Sequence, residues 1–266
     1  MSSLLSRVAV AAAGVPIVLI TAYYGGWALF AVATVAAMLA LHELYRIARS
    51  LRPLVLAGYG SAAAALVGAT AGGYVWMLGG FLLAFVLSFV FAAVAETRQS
   101  TTVAMATTIL GAGWVGLGLA HLLLIRDLPT YGRLAIVTVL LTVFVSDTFA
   151  YLGGRLAGRH KMTPVMSPGK TWEGFTAGAV AGVLTTWIAL YEEAIFTDGW
   201  RPLAFGGIVV AAATVGDLFE SVVKRDLGVK DSGGVLLGHG GMLDRVDSLL
   251  FAAPAAYFVL IALGQF

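Results

Sequence analysis

Residues Asp217–Asp247 read DLFESVVKRDLGVKDSGGVLLGHGGMLDRVD and lie between two long apolar runs. Within these 31 residues stand six carboxylates (Asp217, Glu220, Asp226, Asp231, Asp244, Asp247), four cations (Lys224, Arg225, Lys230, Arg245) and one histidine, His239. The other 235 residues carry the remaining 8 of 14 acids and 12 of 16 bases. Two readings are open at this point: a solvated loop, and a metal and phosphate site at a membrane surface.

Outward from this stretch the chain is apolar. It is 60% hydrophobic and 11% charged, with a mean hydropathy of +0.93, whereas soluble domains run near 45–50% apolar and about 25% charged. The composition therefore predicts an integral membrane protein and excludes a soluble one. Cysteine is absent, which excludes disulfides and thiolate metal sites. A spanning helix needs about 20 apolar residues. Nine segments meet that criterion, roughly 8–24, 26–42, 54–72, 74–95, 103–125, 134–153, 174–195, 202–220 and 248–264. Val8–Tyr24 reads as the first span rather than a signal peptide, because no A-x-A cleavage site follows. Continuous runs of this length make strands unexpected. The fold class is thus all-α and polytopic, with spans tightly joined at Tyr24-Gly25-Gly26 and Gly72-Gly73. With the N-terminus in the cytoplasm, 13 of the 16 Lys and Arg fall on cytoplasmic segments and 3 on the opposite side. That asymmetry is expected of such loops. About five spans (1–133) precede a C-terminal region of about four (134–266), which carries the polar loops 153–174 and 221–247. The spacing Gly174-x3-Gly178-x3-Gly182 suits close helix packing. No half of the chain repeats the other, which weighs against an inverted-repeat transporter.

Several polar residues lie at or within spans. Asp147, in LLTVFVSDTFAYLGGR, would be costly in lipid by about 2.5–3.5 kcal/mol unless it faced a partner or a wet cavity. A site carboxylate is the favoured reading and a structural ion pair the alternative. His42 and Glu43, ending the second span, read as interfacial. His121 reads as a packed histidine, and Glu192, Glu193 and Asp198 as a solvated outer loop. Residues 153–174, GGRLAGRHKMTPVMSPGKTWEG, add four cations with Ser167, Thr171 and Glu173. The SPGKT within them is not a P-loop, since Pro164 stands where the first glycine is required and no strand is expected before it. Lys170 and Thr171 lead into the seventh helix, where amides and a lysine bind phosphate. Attraction of anionic headgroups to a juxtamembrane basic loop explains the segment equally well.

Asp217, Glu220, Ser221 and Lys224 are spaced i, i+3, i+4, i+7 and share one helix face. Asp244, Asp247 and Ser248 recur at the start of the ninth helix, across a glycine-rich link. Oxygen ligands without cysteine favour Mg²⁺ or Mn²⁺ over zinc, and Mg²⁺ is typically shared between a few carboxylates, water and substrate phosphates. Lys and Arg beside such a site bind the phosphates. Phosphoryl or nucleotidyl transfer to a lipid is the chemistry this pattern suggests.

The blocks SDTFAYLGGR (146–155), SPGKTWEG (167–174) and SVVKRDLGVKDSGGVLLGHGGMLDRVD (221–247) together resemble the signature of the phosphatidate cytidylyltransferases. The resemblance implies CTP and phosphatidate as substrates and CDP-diacylglycerol and pyrophosphate as products. The short length without a transit peptide suggests a bacterial plasma membrane, and the Lys/Arg distribution a site facing the cytoplasm. The resemblance also implies Mg²⁺ with a monovalent cation such as K⁺, a homodimer, and no nucleic-acid partner. On it, Asp217, Asp231, Asp244 and Asp247 match the family's acids, with Asp217 and Asp244 foremost as metal ligands and Lys230 beside Asp231 in the catalytic set. Asp147, Ser167, Lys170, Thr171, Ser221, Lys224, Arg225, His239 and Arg245 would face the nucleotide and its phosphates. Two positions depart from the family pattern: Leu237 where proline is usual, and Gly169 where a lysine is common. A CTP-dependent polyprenol or dolichol kinase is the alternative enzyme, and an ion-coupled transporter using Asp147 the alternative of another class.

Overall fold

The computed structural model describes residues 14–94, 100–191, 193, 195–196, 198–233 and 241–263. The chain is helical almost throughout. Its elements are α1 (Gly14–Tyr24), α2 (Gly26–Ile47), α3 (Val55–Val94), α4 (Thr101–Gly111), α5 (Gly118–Arg126), α6 (Gly132–Ala157), β1 (Lys161–Thr163), β2 (Ser167–Thr171), α7 (Trp172–Leu190), α8 (Arg201–Asp226) and α9 (Leu243–Leu263). Among the described residues, seven helices are long and apolar enough to cross a membrane, α4 and α5 counting as one.

The 40-residue α3 shows how glycine divides the apolar runs. Straight, it would extend about 60 Å at 1.5 Å per residue, twice the hydrocarbon thickness. It breaks at Gly73, whose φ of 73° and ψ of −156° only glycine adopts readily. Beyond the break the arms fold back, so that Gly68 lies against the Trp76 backbone and Gly80 against that of Ala64. The turn at Gly72-Gly73 is therefore the expected hairpin. At Gly25 (φ 72°) the turn is also crowded. The Arg126 guanidinium, donating to the carbonyls of Ala22, Tyr23 and Tyr24, sits where a Cβ on Gly25 would point.

The four C-terminal helices position the site. Gly174, Gly178 and Gly182 are buried, and a Cβ on any of them would come within 2.6 Å of an atom of a neighbouring helix. The glycine stripe thus packs α7 onto α6 and α8, and Thr142 bonds Thr186 across the first of these contacts at 2.7 Å. On α8, Gly216 plays the same part against α9. The outer faces present Trp27, Leu56, Val75, Phe89 and Ile188, all more than half exposed, as lipid contact requires.

Two expectations need correction. Strands do occur: α6 runs on to Ala157, and β1 and β2 then form a two-stranded antiparallel hairpin. A hairpin outside the membrane leaves its unpaired edges to water, so the rule against open sheets in lipid does not reach it. Glu43 is not interfacial. It is fully buried, whereas its neighbour His42 is exposed and contacts Tyr59. His121 is packed as expected, with Nδ1 donating to the Leu117 carbonyl and its ring against Tyr257.

Candidate active site

At Gly216 the α8 backbone comes so near α9 that a Cβ would lie 2.5 Å from the Asp247 carbonyl oxygen. This contact brings the acids of two distant segments together. Asp217, one residue on, and Glu220, one turn on, meet Asp247 from the first turns of α9. One oxygen of each lies within 4.8 Å of the others. Glu220 and Asp247 are buried, at 2% and 8% exposed, while the Asp217 side chain is 37% exposed and opens the cluster outward. The Ser248 amide donates to Asp247 Oδ1 at 2.7 Å.

Two lysines flank the acids. Lys170, from β2, lies 2.7 Å from Asp217 Oδ2. Lys224, two turns past Asp217 on α8, lies 2.9 Å from Glu220 and 2.8 Å from Asp244. The second oxygen of Asp244 accepts from the Gly241 amide at 2.9 Å. Asp147 is exposed although α6 is a candidate span. It faces the Ser248 hydroxyl and the charges of Asp217 and Lys170, so it has polar neighbours within the helix bundle.

The structure thus brings together Asp147, Lys170, Asp217, Lys224, Asp244 and Asp247 from the expected set. It groups the acids differently, however. The third member of the close carboxylate group is Glu220, whereas Asp244 is engaged by Lys224 and the Gly241 amide, and Asp231 is exposed past the end of α8 outside that group. Lys230 is likewise exposed. Glu220 has a legible signal in its i+3 spacing from Asp217, although it stands just before the block 221–247 that carries the family resemblance. Ser221 is half-buried and Arg245 exposed. Arg225 is exposed and donates to the Met166 carbonyl at 3.4 Å, tying α8 to the β1–β2 turn. Ser167 lies half-buried on β2. Thr171 caps α7, its hydroxyl accepting from the Gly174 amide at 3.2 Å. Glu173 accepts from the amides of Arg159 and His160 and from His160 Nδ1, which closes the hairpin base. The start of α7 is therefore served by its own side chains. Gly169 has open space around it. His239 and Leu237 lie outside the described residues.

Two buried carboxylates less than 5 Å apart repel by about 3 kcal/mol even at an effective dielectric near 20. Glu220 Oε1 is buried and lacks a hydrogen-bond partner among the described residues. A hard divalent cation answers both features, and an all-oxygen donor set with one open side fits Mg²⁺.

Fold and cluster together define a polytopic α-helical membrane protein whose acids and lysines converge at one end of its C-terminal helices. The chain belongs to the cytidylyltransferase family, matching it over residues 5–263. It is 39% identical over 153 residues to a phosphatidate cytidylyltransferase of Staphylococcus haemolyticus, and the match covers 58% of each chain. It is 34% identical over 255 residues to proteins of the same name from Mycobacterium bovis and Mycobacterium tuberculosis. Those matches take in 88% of this chain and 80% and 75% of theirs.

Proposed function

We propose that this protein is a phosphatidate cytidylyltransferase, converting CTP and phosphatidate to CDP-diacylglycerol and pyrophosphate. The observation that carries the reading is the close group of Asp217, Glu220 and Asp247 flanked by Lys170 and Lys224, in a chain of the cytidylyltransferase family. We further place the site on the cytoplasmic face of the cell membrane. The 13-to-3 distribution of Lys and Arg supports this orientation, as does the availability of CTP in the cytosol. A homodimer is part of the same proposal, on the family resemblance alone.

Residue roles follow from the chemistry. A phosphate oxygen of phosphatidate attacks the α-phosphorus of CTP. The new P–O bond forms in line with the bond to pyrophosphate, which breaks and leaves with its electron pair. No protein nucleophile is required, and positioning with charge neutralisation does most of the work. Asp217, Glu220 and Asp247 would hold Mg²⁺, which when bound supplies charge neutralisation at the phosphate oxygens. Lys170 and Lys224 sit one on each side of the acids, so each can exchange a carboxylate partner for a phosphate oxygen when the nucleotide enters. Asp147 adds a carboxylate beside Asp217 and Lys170 where α6 would pass through lipid.

The test uses the full chain in detergent micelles with phosphatidate, Mg²⁺ and CTP labelled at the α- or the γ-phosphate. Lipid label from α-labelled CTP alone is the expected result. Lipid label from γ-labelled CTP would instead establish a CTP-dependent lipid kinase and overturn the proposal.

A further inference from the structure

Glu43 is a charged side chain with no exposed surface, placed by the C-terminal turns of a candidate span, α2, against a segment some 200 residues away. Its Oε2 accepts from the Leu243 amide at 2.9 Å and from Ser232 Oγ at 3.4 Å. Leu243 is the first residue of α9, where unpaired amides and the positive end of the helix dipole favour an anion. The preceding residue, Met242, has no side-chain acceptor with which to cap them. Two glycines close around the same carboxylate. A Cβ on Gly233 would meet Glu43 Oε1 at 2.9 Å, and one on Gly241 would collide with Ser232 Oγ and the carboxylate itself. The residues on both sides of segment 234–240 are thus seated on one buried side chain.

We propose that Glu43 is a positioning residue for the transfer reaction: by holding the Leu243 amide it sets where the first turn of α9 presents Asp244 and Asp247. The inference rests on the cytidylyl transfer proposed above. A buried carboxylate is costly unless fixed donors face it, and the donors here, Ser232 and Leu243, belong to the two stretches of chain on either side of residues 234–240. Asp244 is one residue and Asp247 four residues beyond the amide that Glu43 holds, so a shift of that turn is transmitted directly to the acid group. Catalytic groups tolerate about 0.5 Å of such displacement. Glu43 bonds Leu243 and Ser232 and is outside the acid group itself, so the loss should fall on kcat rather than on KM for the lipid.

The experiment compares Glu43→Ala and Glu43→Gln in the purified full chain, reading kcat, KM for both substrates, and hydrogen exchange of peptides across 241–250. Glu43→Gln keeps an acceptor oxygen for Leu243 and is expected to retain kcat within about tenfold. Glu43→Ala is expected to lose kcat about 100-fold, the scale of a 1 Å misplacement, with KM for phosphatidate within twofold. Exchange at 241–250 should rise while peptides in α3 stay as in the parent. A Glu43→Ala enzyme within threefold of the parent, or one whose exchange at 241–250 is unchanged, overturns the proposal. Should that variant not fold, Gly233→Ala tests the same point by nudging the carboxylate a few tenths of an ångström. About a tenfold loss of kcat is expected, and no loss overturns the proposal. A parent chain without transfer activity, in contrast, refutes the proposed reaction, and the exchange measurement still reports on Glu43.

Discussion

Replacing Gly216 by alanine should disable the enzyme through a single methyl group. The added Cβ would stand 2.5 Å from the Asp247 carbonyl oxygen and 3.3 Å from Phe251 Cβ, where ordinary contact begins near 3.4 Å. The atom it meets is backbone, so no side-chain rotation relieves it. The two helices must separate by about 0.9 Å, and the separation falls between Asp217 and Asp247. Overpacking of this kind destabilises by about 1–3 kcal/mol, and a displacement near 1 Å at the reacting groups lowers rate about 100-fold. That factor corresponds to about 2.7 kcal/mol of transition-state stabilisation. Gly207→Ala on the same helix is the control, since no atom lies within 4 Å of its Cβ position. A helical Gly→Ala change there should add stability of about 0.5–1 kcal/mol and leave turnover unaltered. Label transfer from CTP to phosphatidate in micelles measures both variants. A Gly216→Ala enzyme within threefold of the parent would show that the approach of α8 to α9 does not set the acid geometry.

Asp217→Asn and Asp247→Asn should each cut kcat/KM by more than about 100-fold, beyond the loss typical of supporting residues around a metal, and raise the Mg²⁺ concentration needed for half-maximal rate; an unchanged Mg²⁺ requirement in both would remove them from the ion's ligands. Lys224→Met leaves buried Glu220 and the Asp244 carboxylate without their shared cation. Breaking such pairs costs about 3–5 kcal/mol when fully buried, somewhat less here because Asp244 is 19% exposed, and adding Glu220→Gln should restore part of the lost thermal stability. Arg126→Ala removes the cap on three α1 carbonyls and should lower stability by about 1–3 kcal/mol with cytidylyl transfer intact, measured by thermal unfolding in detergent beside the activity assay.

Much of this protein is legible one segment at a time. Apolar runs of spanning length, glycine pairs at Gly25-Gly26 and Gly72-Gly73, and the i, i+3, i+7 face of Asp217, Glu220 and Lys224 are local features. Backbone hydrogen bonding within each helix converts them directly into structure. The Lys224–Glu220 pair follows from helical spacing alone. The β1–β2 hairpin was less visible, because its strands of three and five residues are too short to show a period. What no local pattern contains is the choice of partners across the bundle. Asp244 and Asp247 are equivalent by spacing, yet Lys224 and the Gly241 amide engage the first, which meets Glu220 alone, while close packing at Gly216 joins the second to both Asp217 and Glu220. Glu43 looked like a headgroup-level acid at a helix end. Its burial arises because α2 packs beside the start of α9 and offers its carboxylate to an amide 200 residues along the chain. Helices are decided by neighbours in sequence; the acid group and its support are decided by which helix faces approach closely enough to share a cation or an amide.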